Sequence, residues 1–412
     1  MFEQYDVGII GAGPAGYTAA LHAAACGLTV VMFEKDMIGG VCLNRGCIPT
    51  KTILHSAELF KEMKSAQELG IYTEKLDYDF SKIIEHKNKT VNKLRKGLEL
   101  ALKNAKVKVV NTEAELLDKN TIKADGAIYK CVKTIVATGS EAKSLKGLEF
   151  DHKFILNSDD ILNMTELPEN ILIIGSGAIG VEWARILAAF GVEVTVVEAA
   201  ERILPLADTE ISKRIERIFK SEKINFYTSV TVEKTHGEKI YLSDGKELLA
   251  KKILVAVGRK PCINKKIDGA IYIGDVGGEI QLAHFAIKQA IAEVRGIPFN
   301  KSLVPSVVYG CPEIAWVGLR EQDLEDGSYQ KSTLLVSALG KSHCDNCTDG
   351  IIKILVQDNK IVGAHIISKE ASALIQQITM AIQNKIAVEK LSEICFAHPT
   401  YSEGIFESLF KF

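Results

Sequence analysis

Hydrophobic and small residues near the start of the chain form a strand–helix–strand pattern. Residues 5–10 are mostly apolar and predict a buried strand, and residues 17–26 are rich in alanine and predict a helix that ends at Gly27. Residues 28–34 predict a second buried strand with an acidic residue at its end. A glycine-rich turn joins the first strand to the helix, so the stretch has the order of a βαβ unit.

The same pattern occurs again in the middle of the chain. Residues 170–174 predict a strand, residues 181–190 predict a helix that ends at Gly191, and residues 192–198 predict a second strand that also ends in an acid. The spacing is the same in both copies, since 23 positions separate the first turn glycine from the terminal glutamate. Two units of one spacing predict two nucleotide-binding sites.

Each glycine of the repeated G-x-G-x-x-G motif has a mechanical role. The first allows a tight turn, the second lets the backbone approach a pyrophosphate, and the third lets the helix pack closely on the strand. The helix N-terminus attracts the phosphate charge, and the terminal glutamate accepts hydrogen bonds from ribose hydroxyls. The residues in these roles are Gly11, Gly13, Gly16 and Glu34 in the first copy and Gly175, Gly177, Gly180 and Glu198 in the second.

The acid of the second copy also predicts which nicotinamide cofactor binds there. The carboxylate of Glu198 would repel a 2′-phosphate, and residues 199–202 form no clear basic pocket. Arg202 is the residue of this stretch that favours the phosphorylated cofactor. The second site is therefore predicted to prefer NAD(H) over NADP(H).

The remaining chain predicts helices between the repeats and a third unit after them. Residues 51–69 and 79–104 carry apolar residues at helical spacing beneath a charged outer face. The similar endings at 133–140 and 252–259 predict strands that close the two nucleotide domains. After about residue 301 the predicted elements are strands at 350–356 and 360–368 and a helix at 370–384. The predicted fold class is α/β, with two Rossmann-like domains and a C-terminal α+β domain.

Composition and charge exclude several classes of function. The 412 residues contain 50 Lys and Arg against 52 Asp and Glu, so the formal net charge is −2 and no basic excess favours nucleic acid. A hydrophobic content of 47% argues against a disordered chain. The most apolar stretch, residues 171–197, is interrupted by Glu182, Arg185 and Glu193 and predicts no membrane span.

The N-terminus and the cysteines together predict a reducing location. No basic segment followed by an apolar core opens the chain, so we expect no secretory signal and a cytoplasmic protein. In that compartment the nine cysteines are better explained as thiols, redox groups or metal ligands than as structural disulfides. Four of them are most simply core residues, namely Cys26, Cys131, Cys311 and Cys395.

A short motif in the C-terminal part leaves two alternatives open. Residues 343–347 place Cys344 and Cys347 beside His343, an arrangement that suits half a zinc site or a second redox pair. Structural zinc needs four ligands, and no matching CxxC occurs elsewhere. We favour an exposed loop with incidental thiols and predict no metal site.

The segment that carries chemistry lies directly after the first nucleotide unit. Residues 39–51 hold Cys42 and Cys47 within a glycine-rich turn, and a helix is predicted to follow. A helix N-terminus lowers the pKa of a thiol, which favours reactivity. Two inert buried residues would explain neither the flanking glycines nor this position.

Residues 39–51 resemble the signature of flavoprotein disulfide reductases of the pyridine-nucleotide class, and specifically that of the dihydrolipoamide dehydrogenase family. The likeness covers nearly the whole chain through ordered motifs, which lie at 11–16, 137–139, 175–180, 274–276, 282–284, 312–318 and 398–403. Ile48, Thr50 and Glu198 resemble the lipoamide branch of the class more than the glutathione branch.

The resemblance implies FAD in the first nucleotide site, NAD in the second, and a homodimer. The implied domains are an FAD-binding domain at 1–146, an NAD-binding domain at 147–258, a shortened second part of the FAD domain at 259–299 and a dimerisation domain at 300–412. The implied reaction is oxidation of protein-bound dihydrolipoamide to lipoamide with reduction of NAD⁺. The implied partner is a separate lipoyl-bearing protein of a 2-oxo acid dehydrogenase complex or a glycine cleavage system.

The resemblance also implies roles for the catalytic residues. Cys42 corresponds to the thiol that exchanges with substrate, and Cys47 to the thiol on the flavin side of a redox-active disulfide. Lys51 and Glu182 correspond to a pair near the reactive face of the flavin.

His398 corresponds to the base that takes the proton of the substrate thiol, across a subunit boundary, with Glu403 holding its imidazole. A carboxylate on one ring nitrogen orients the ring and raises the basicity of the other nitrogen.

The implied cofactor contacts come from many short segments. For FAD they are Gly11, Gly13, Ala15, Gly16, Glu34, Lys35, Gly40, Val41, Cys42, Lys51, Ala114, Thr138, Gly139, Ser140, Asp275, Gln281, Leu282, Ala283 and His284. For NAD they are Gly175, Gly177, Ala178, Ile179, Gly180, Glu198, Val230 and Gly258.

The sequence departs from the family pattern at one place. Residues 260–272 are shorter than usual, as though a peripheral strand were missing, and Cys262 stands where asparagine is usual. Loss of such a strand would expose a sheet edge and weaken FAD retention. Two alternatives therefore stay open: a reductase of another small disulfide, such as glutathione, and a shortened non-catalytic paralogue that acts in complex assembly.

Overall fold

The structure, a computed structural model, describes residues 2–263 and 265–412. Its strands are β1 (Phe2–Ile10), β2 (Val30–Glu34), β3 (Lys108–Asn111), β4 (Ala114–Asp118), β5 (Thr121–Ala124), β6 (Ala127–Val136), β7 (Ser140–Ala142), β8 (Ile155–Leu156), β9 (Asn170–Ile174), β10 (Glu193–Val197), β11 (Asn225–Tyr227), β12 (Val232–His236), β13 (Lys239–Leu242), β14 (Glu247–Leu249), β15 (Ile253–Val255), β16 (Arg259–Pro261), β17 (Ile271–Tyr272), β18 (Ser306–Val308), β19 (Glu313–Gly318), β20 (Gln330–Leu335), β21 (Ile351–Gln357) and β22 (Lys360–Ser368).

The helices are α1 (Pro14–Ala25), α2 (Gly40–Arg45), α3 (Cys47–Ser65), α4 (Phe80–Asn104), α5 (Ser158–Ile161), α6 (Ala178–Ala189), α7 (Thr209–Ser221), α8 (Ala283–Arg295), α9 (Gly340–Cys344), α10 (Ala371–Gln383), α11 (Val388–Ser392) and α12 (Glu403–Leu409). The predicted helices at 51–69 and 79–104 are confirmed as α3 with a following 3₁₀ turn and as α4. The first helix begins earlier than predicted, at Pro14, because a proline is well tolerated at the first helical position.

The first sheet is built around β1, which pairs in parallel with β2 and β6. Strand β3 extends the sheet beyond β2 in parallel, whereas β5 and β4 continue it beyond β6 as antiparallel strands. Helices cover the sheet, and α1 packs against α8. Ile9, Met32 and Ile135 are fully buried in this core, as expected for parallel strands with both faces covered.

The second sheet is entirely parallel, in the order β11-β10-β9-β15-β8. Helix α6 crosses from β9 to β10 and buries Trp183 at 1% exposure. The same helix packs against α3 of the first unit. The second βαβ unit is therefore in direct contact with the helix that follows the cysteine motif.

The two βαβ turns have the same backbone geometry. Gly11 and Gly175 both have φ of +100°, a backbone conformation that residues with a side chain rarely adopt. A Cβ atom added at Gly16 would lie 1.9 Å from the carbonyl oxygen of Gly11. A Cβ atom added at Gly180 would lie 1.9 Å from the carbonyl oxygen of Gly175. Only glycine fits the third position of each motif, so the mechanical role predicted for it is confirmed.

The C-terminal unit is an antiparallel sheet in the order β18-β19-β22-β21-β20. Helix α10 packs on β19 and β22, and Ile352, Ile366 and Ile375 are fully buried between them. The strands predicted at 350–356 and 360–368 and the helix predicted at 370–384 are confirmed as β21, β22 and α10, with bounds that differ by at most one residue. Within the described part of the chain, every helix is too short or too polar to cross a lipid bilayer.

The short segment after residue 258 returns the chain to the first sheet. Strand β16 pairs with β7, and β17 pairs in parallel with the end of β6. Residue 264 lies outside the described residues. The domain boundaries at 146, 258 and 299 stay a prediction.

The cysteines predicted to be core residues differ from one another in exposure. Cys131 on β6 is buried, as predicted, but the prediction is wrong for the other three. Cys26 is exposed because it caps the end of α1, and Cys395 is exposed beyond α11. Cys311, two residues before β19, is only partly buried.

A glycine substitution tests the close helix–strand contact. We expect Gly180→Ala to lower the free energy of unfolding by about 1–3 kcal/mol, because the added Cβ atom meets backbone that cannot move freely. Thermal denaturation measures the effect. The matched control is Gly97→Ala in α4, where nothing lies within 4 Å of the new atom. This control should stabilise the protein by about 0.5–1 kcal/mol, and equal effects of the two changes would contradict the packing argument.

Candidate active site

The two cysteines of the glycine-rich motif lie on consecutive helices. Cys42 is in α2 and Cys47 is the first residue of α3, with Gly46 between the helices. A Cβ atom at Gly46 would lie 3.0 Å from the carbonyl oxygen of Val41, so the absence of a side chain permits the close turn. Both cysteines are free thiols and partly buried.

The surroundings of the two thiols shift their pKa values in opposite directions. The thiol of Cys42 donates a hydrogen bond to the Cys47 sulfur, and this bond is the main cause that lowers the pKa of Cys47 to about 7. The Lys51 ammonium and the N-terminal backbone of α3 lower it further, against the opposing effect of burial. The same hydrogen bond and burial raise the pKa of Cys42. Of the two thiols, Cys47 is therefore the one that ionises first.

A partly buried ion pair lies next to Cys47. Lys51, one turn further along α3, donates to both carboxylate oxygens of Glu182 on α6, at 2.9 and 2.7 Å. The side chain of Glu182 is only 5% exposed. Tyr309 completes the arrangement, because its backbone N–H donates to Glu182 at 3.1 Å and its ring centroid lies 4.6 Å from the Lys51 Nζ atom. Sequence reasoning found Lys51 and Glu182 but missed Tyr309.

The first glycine turn forms a cradle that suits a dinucleotide. The N-terminal N–H groups of α1 have no side-chain cap, and a Cβ atom at Gly13 would meet nothing nearer than Gly40 Cα at 3.9 Å. The carboxylate of Glu34 accepts hydrogen bonds from the N–H groups of Ala12 and Asp36, which aim it at the turn. Free N–H groups, an open backbone and an oriented carboxylate are the features that bind FAD in this position.

Further predicted FAD contacts are joined by one hydrogen-bond network. The Ser140 hydroxyl donates to the Asp275 carboxylate at 2.5 Å, and the Arg259 guanidinium donates to the Ser140 hydroxyl and carbonyl. Thr138 donates to the carbonyl of Cys262. Arg259 and Cys262 therefore position predicted contact residues, although no sequence signal pointed to these bonds.

Other predicted FAD contacts occupy several separate positions. Lys35 forms an exposed ion pair with Glu113, the residue before Ala114 on β4. Gly40 and Val41 begin α2, close to the first glycine turn, and Gln281–His284 lead into α8, where His284 Nε2 lies 2.7 Å from the Pro305 carbonyl. Ala15 is buried in α1, and Gly139 has φ of +75° after β6.

The second cradle has the same backbone hydrogen-bond pattern around its glutamate as the first. The carboxylate of Glu198 accepts from the N–H groups of Ser176 and Ala200, at the same sequence offsets as the bonds to Glu34. Gly177 faces open space, and α6 likewise has no side-chain cap. Ala178, Ile179 and Gly180 form the first turn of α6, Val230 donates its N–H to the Glu198 carbonyl, and Gly258 has φ of +101° after β15. These features suit the pyrophosphate and ribose of NAD.

The predicted histidine pair is formed at the other end of the chain. His398 Nδ1 lies 2.7 Å from a carboxylate oxygen of Glu403, and the Thr400 N–H donates to the second oxygen at 2.8 Å. These two bonds, led by that of Thr400, lower the pKa of Glu403. The carboxylate therefore stays ionised and leaves Nε2 of His398 free to act.

The structure does not bring the histidine pair to the cysteine pair within one chain. The His398 side chain is 75% exposed, and among the described residues its only side-chain hydrogen bond is to Glu403. The cysteine pair is joined to the Lys51–Glu182 pair and to the second cradle by the packing of α3 against α6. The histidine belongs to the C-terminal unit.

Comparisons with known proteins identify the family of the chain. Residues 5–270 match the family described as pyridine nucleotide-disulphide oxidoreductase, and residues 304–409 match the dimerisation domain of that family. The chain therefore belongs to the pyridine nucleotide-disulphide oxidoreductases, and the curated relatives that it matches along nearly its full length include dihydrolipoyl dehydrogenases.

Two of these relatives show the extent of the likeness. The chain is 33% identical to the dihydrolipoyl dehydrogenase of Mycoplasma pneumoniae, covering 98% of this chain and 97% of the relative. It is 34% identical to that of Bacillus subtilis, covering 99% and 98%. The alignments run over 443 and 465 positions, whereas this chain has 412 residues, so the relatives carry internal segments that it lacks.

Solved structures support the same fold. LpdA from Mycobacterium tuberculosis superposes with a TM-score of 0.91 at 24% identity, covering 99% of each chain, a likeness of fold alone. The HOCl-induced flavoprotein disulfide reductase RclA from Escherichia coli superposes with a TM-score of 0.86 at 26% identity, covering 98% of this chain and 99% of that one.

The ionisation of Cys47 is a direct test of the site. The rate at which iodoacetamide alkylates Cys47 in the reduced protein should rise with pH around a midpoint near 7. Peptide mass spectrometry measures this rate at Cys47. Lys51→Met should raise this midpoint by about one pH unit, because the ammonium that stabilises the thiolate is lost. Lys51→Arg keeps the charge and should leave the midpoint near that of the wild type. A midpoint that is the same in all three proteins would contradict the assignment.

Proposed function

We propose that the protein is a dihydrolipoyl dehydrogenase, which oxidises protein-bound dihydrolipoamide to lipoamide and reduces NAD⁺ to NADH. The observation that carries the proposal is the cysteine pair with unequal acidities, placed beside two dinucleotide cradles in one chain. The names of its curated relatives support the same reaction. When bound, FAD would supply the two-electron carrier between the dithiol and NAD⁺.

The first half of the reaction is thiol–disulfide exchange. A thiolate of the dihydrolipoyl group attacks Cys42 of a Cys42–Cys47 disulfide, and Cys47 leaves as a thiolate. The second substrate thiol then attacks the mixed disulfide, which releases lipoamide and a reduced Cys42. Cys47 suits the role of leaving group because its lowered pKa makes its thiolate stable at neutral pH.

The role proposed for His398 is to accept the protons of the substrate thiols. Glu403 orients the imidazole through Nδ1 and leaves Nε2 free for the proton. Lys51 and Glu182 keep a positive charge next to Cys47 without leaving a buried carboxylate unpaired.

A homodimer would bring the exposed histidine of one subunit to the cysteine pair of the other. The match of residues 304–409 to a dimerisation domain supports this arrangement. The C-terminal unit also exposes several large apolar side chains, namely Leu335, Met380, Ile394 and Phe410. Such side chains on one unit are typical of a surface that another subunit covers.

The proposed location is the cytoplasm, and the proposed partner is a lipoyl-bearing protein of a 2-oxo acid dehydrogenase complex or a glycine cleavage system. The length and flexibility of a lipoyl arm suit a site reached from outside the protein.

Activity tests the proposal directly. The protein reconstituted with FAD should reduce NAD⁺ with dihydrolipoamide, measured as NADH absorbance at constant pH. Cys42→Ser and Cys47→Ser should abolish turnover because each removes one sulfur of the exchanging pair, and His398→Ala should lower kcat by about 10²–10⁴-fold. Cys26→Ser changes an exposed thiol far from the site and should keep wild-type activity. FAD-loaded protein that reduces glutathione disulfide but not lipoamide would favour the alternative reductase, and protein that binds no FAD would favour the non-catalytic paralogue.

Cofactor preference tests the second cradle separately. We expect kcat/KM for NADH to exceed that for NADPH by at least about tenfold, because Glu198 repels the 2′-phosphate. Glu198→Ala should reduce this preference. Glu201→Ala removes a nearby exposed carboxylate as the control and should leave the ratio unchanged. A wild-type preference for NADPH would contradict the role of Glu198.

A further inference from the structure

Outside the proposed active site, the structure brings together two cysteines that lie far apart in sequence. The sulfur atoms of Cys311 and Cys347 are 3.9 Å apart, although 36 positions separate the residues. A disulfide has an S–S distance of about 2.05 Å, so the two sulfurs need to approach by about 2 Å to bond. Cys347 is thus placed against Cys311, the residue that the sequence predicted to be in the core.

The backbone on both sides of this contact is anchored. The carbonyl groups of Cys311 and Pro312 accept hydrogen bonds from the buried guanidinium of Arg185 on α6. On the other side, the N–H of Cys347 donates to the Ser342 carbonyl at 2.9 Å. Because both backbones are held, the two sulfurs stay adjacent, and adjacency strongly favours an intramolecular bond over reaction with a separate thiol.

The surroundings favour a thiolate at one of the two positions. The hydrogen bond from the Cys347 thiol is the main cause that lowers the pKa of Cys311, and the charges of Arg185 and Lys61 lower it further. Burial and Glu58 oppose this effect. Both side chains are partly exposed, so a small molecule can reach them.

We propose that Cys311 and Cys347 form a second dithiol–disulfide couple, separate from Cys42 and Cys47, which reacts with small-molecule disulfides such as glutathione disulfide. The Cys311 thiolate attacks one sulfur of the small disulfide, forms a mixed disulfide and releases one thiolate. Cys347 then gives its proton to solvent and attacks the Cys311 sulfur, which releases the second thiolate. Two protein thiols are oxidised to one disulfide, and one small disulfide is reduced to two thiols.

The position of the couple connects it with the proposed active site. Tyr309, two residues before Cys311, contacts both members of the Lys51–Glu182 pair. Arg185 lies one turn after Glu182 on the same helix and holds the Cys311 carbonyl. A bond between Cys311 and Cys347 would therefore tether the segment that lies over the ion pair.

Peptide mapping tests the proposal on the full-length protein. The reduced protein is equilibrated with glutathione buffers of increasing disulfide content, blocked with iodoacetamide and digested with trypsin without reduction. We expect a cross-link between the peptide of residues 302–320, which contains Cys311, and the peptide of residues 342–353. The second peptide contains both Cys344 and Cys347, so Cys344→Ser is used to make the assignment unambiguous.

Control variants and a stability measurement complete the test. Cys344→Ser should retain the cross-link, whereas Cys347→Ser should lose it, and oxidised Cys344→Ser should melt at least about 3 °C above its reduced form. The shift should be smaller by this amount in Cys344→Ser combined with Cys311→Ser, where the Cys42–Cys47 pair is unchanged. A Cys344–Cys347 bond, glutathione adducts without a cross-link, or a cross-link between two chains on a non-reducing gel would each overturn the proposal. The mapping does not depend on lipoamide turnover, so its outcome is separate from that of the proposed function.

Discussion

The ion pair between Lys51 and Glu182 is the interaction on which the arrangement of the site depends. It joins α3, which begins at Cys47, to α6, which begins at the second glycine turn, and Tyr309 adds the C-terminal unit to the same contact. Removing Lys51 would leave the buried carboxylate of Glu182 without its charged partner, which is destabilising. One contact thus holds together the thiol, the second cradle and the C-terminal unit.

A second network supports the same junction one turn further along α6. Arg185 pairs with Glu222 at 3.0 Å, and Lys61 on α3 donates to the same carboxylate at 2.6 Å. Burial raises the pKa of an isolated carboxyl, but these two cations lower the pKa of Glu222 below its usual value. Helices α3 and α6 are therefore held together by ion pairs on neighbouring turns of α6.

The nine cysteines show how environment, not residue type, decides the behaviour of a thiol. Cys47 is acidified by a hydrogen bond and a nearby ammonium, and burial without such partners raises the pKa of Cys131 to about 11. Cys26 and Cys395 are exposed at the ends of helices. A disulfide reductase that carries several thiols needs such differences, because exchange follows thiolate character and access.

The sequence by itself determined the local structural motifs of this protein. Glycine spacing, apolar runs and terminal acids predicted both βαβ units. Only glycine fits a turn with φ of +100°, or a helix position where an added Cβ atom would lie 1.9 Å from a carbonyl oxygen. The motif resemblance also predicted the Cys42–Cys47 and His398–Glu403 pairs, whose members lie five positions apart in the chain. Contacts such as Tyr309 with Glu182, Arg259 with Ser140 and Cys311 with Cys347 were decided by tertiary structure alone. They join segments more than 35 positions apart. The periodicity of a sequence does not indicate which distant segment will pack against a given one.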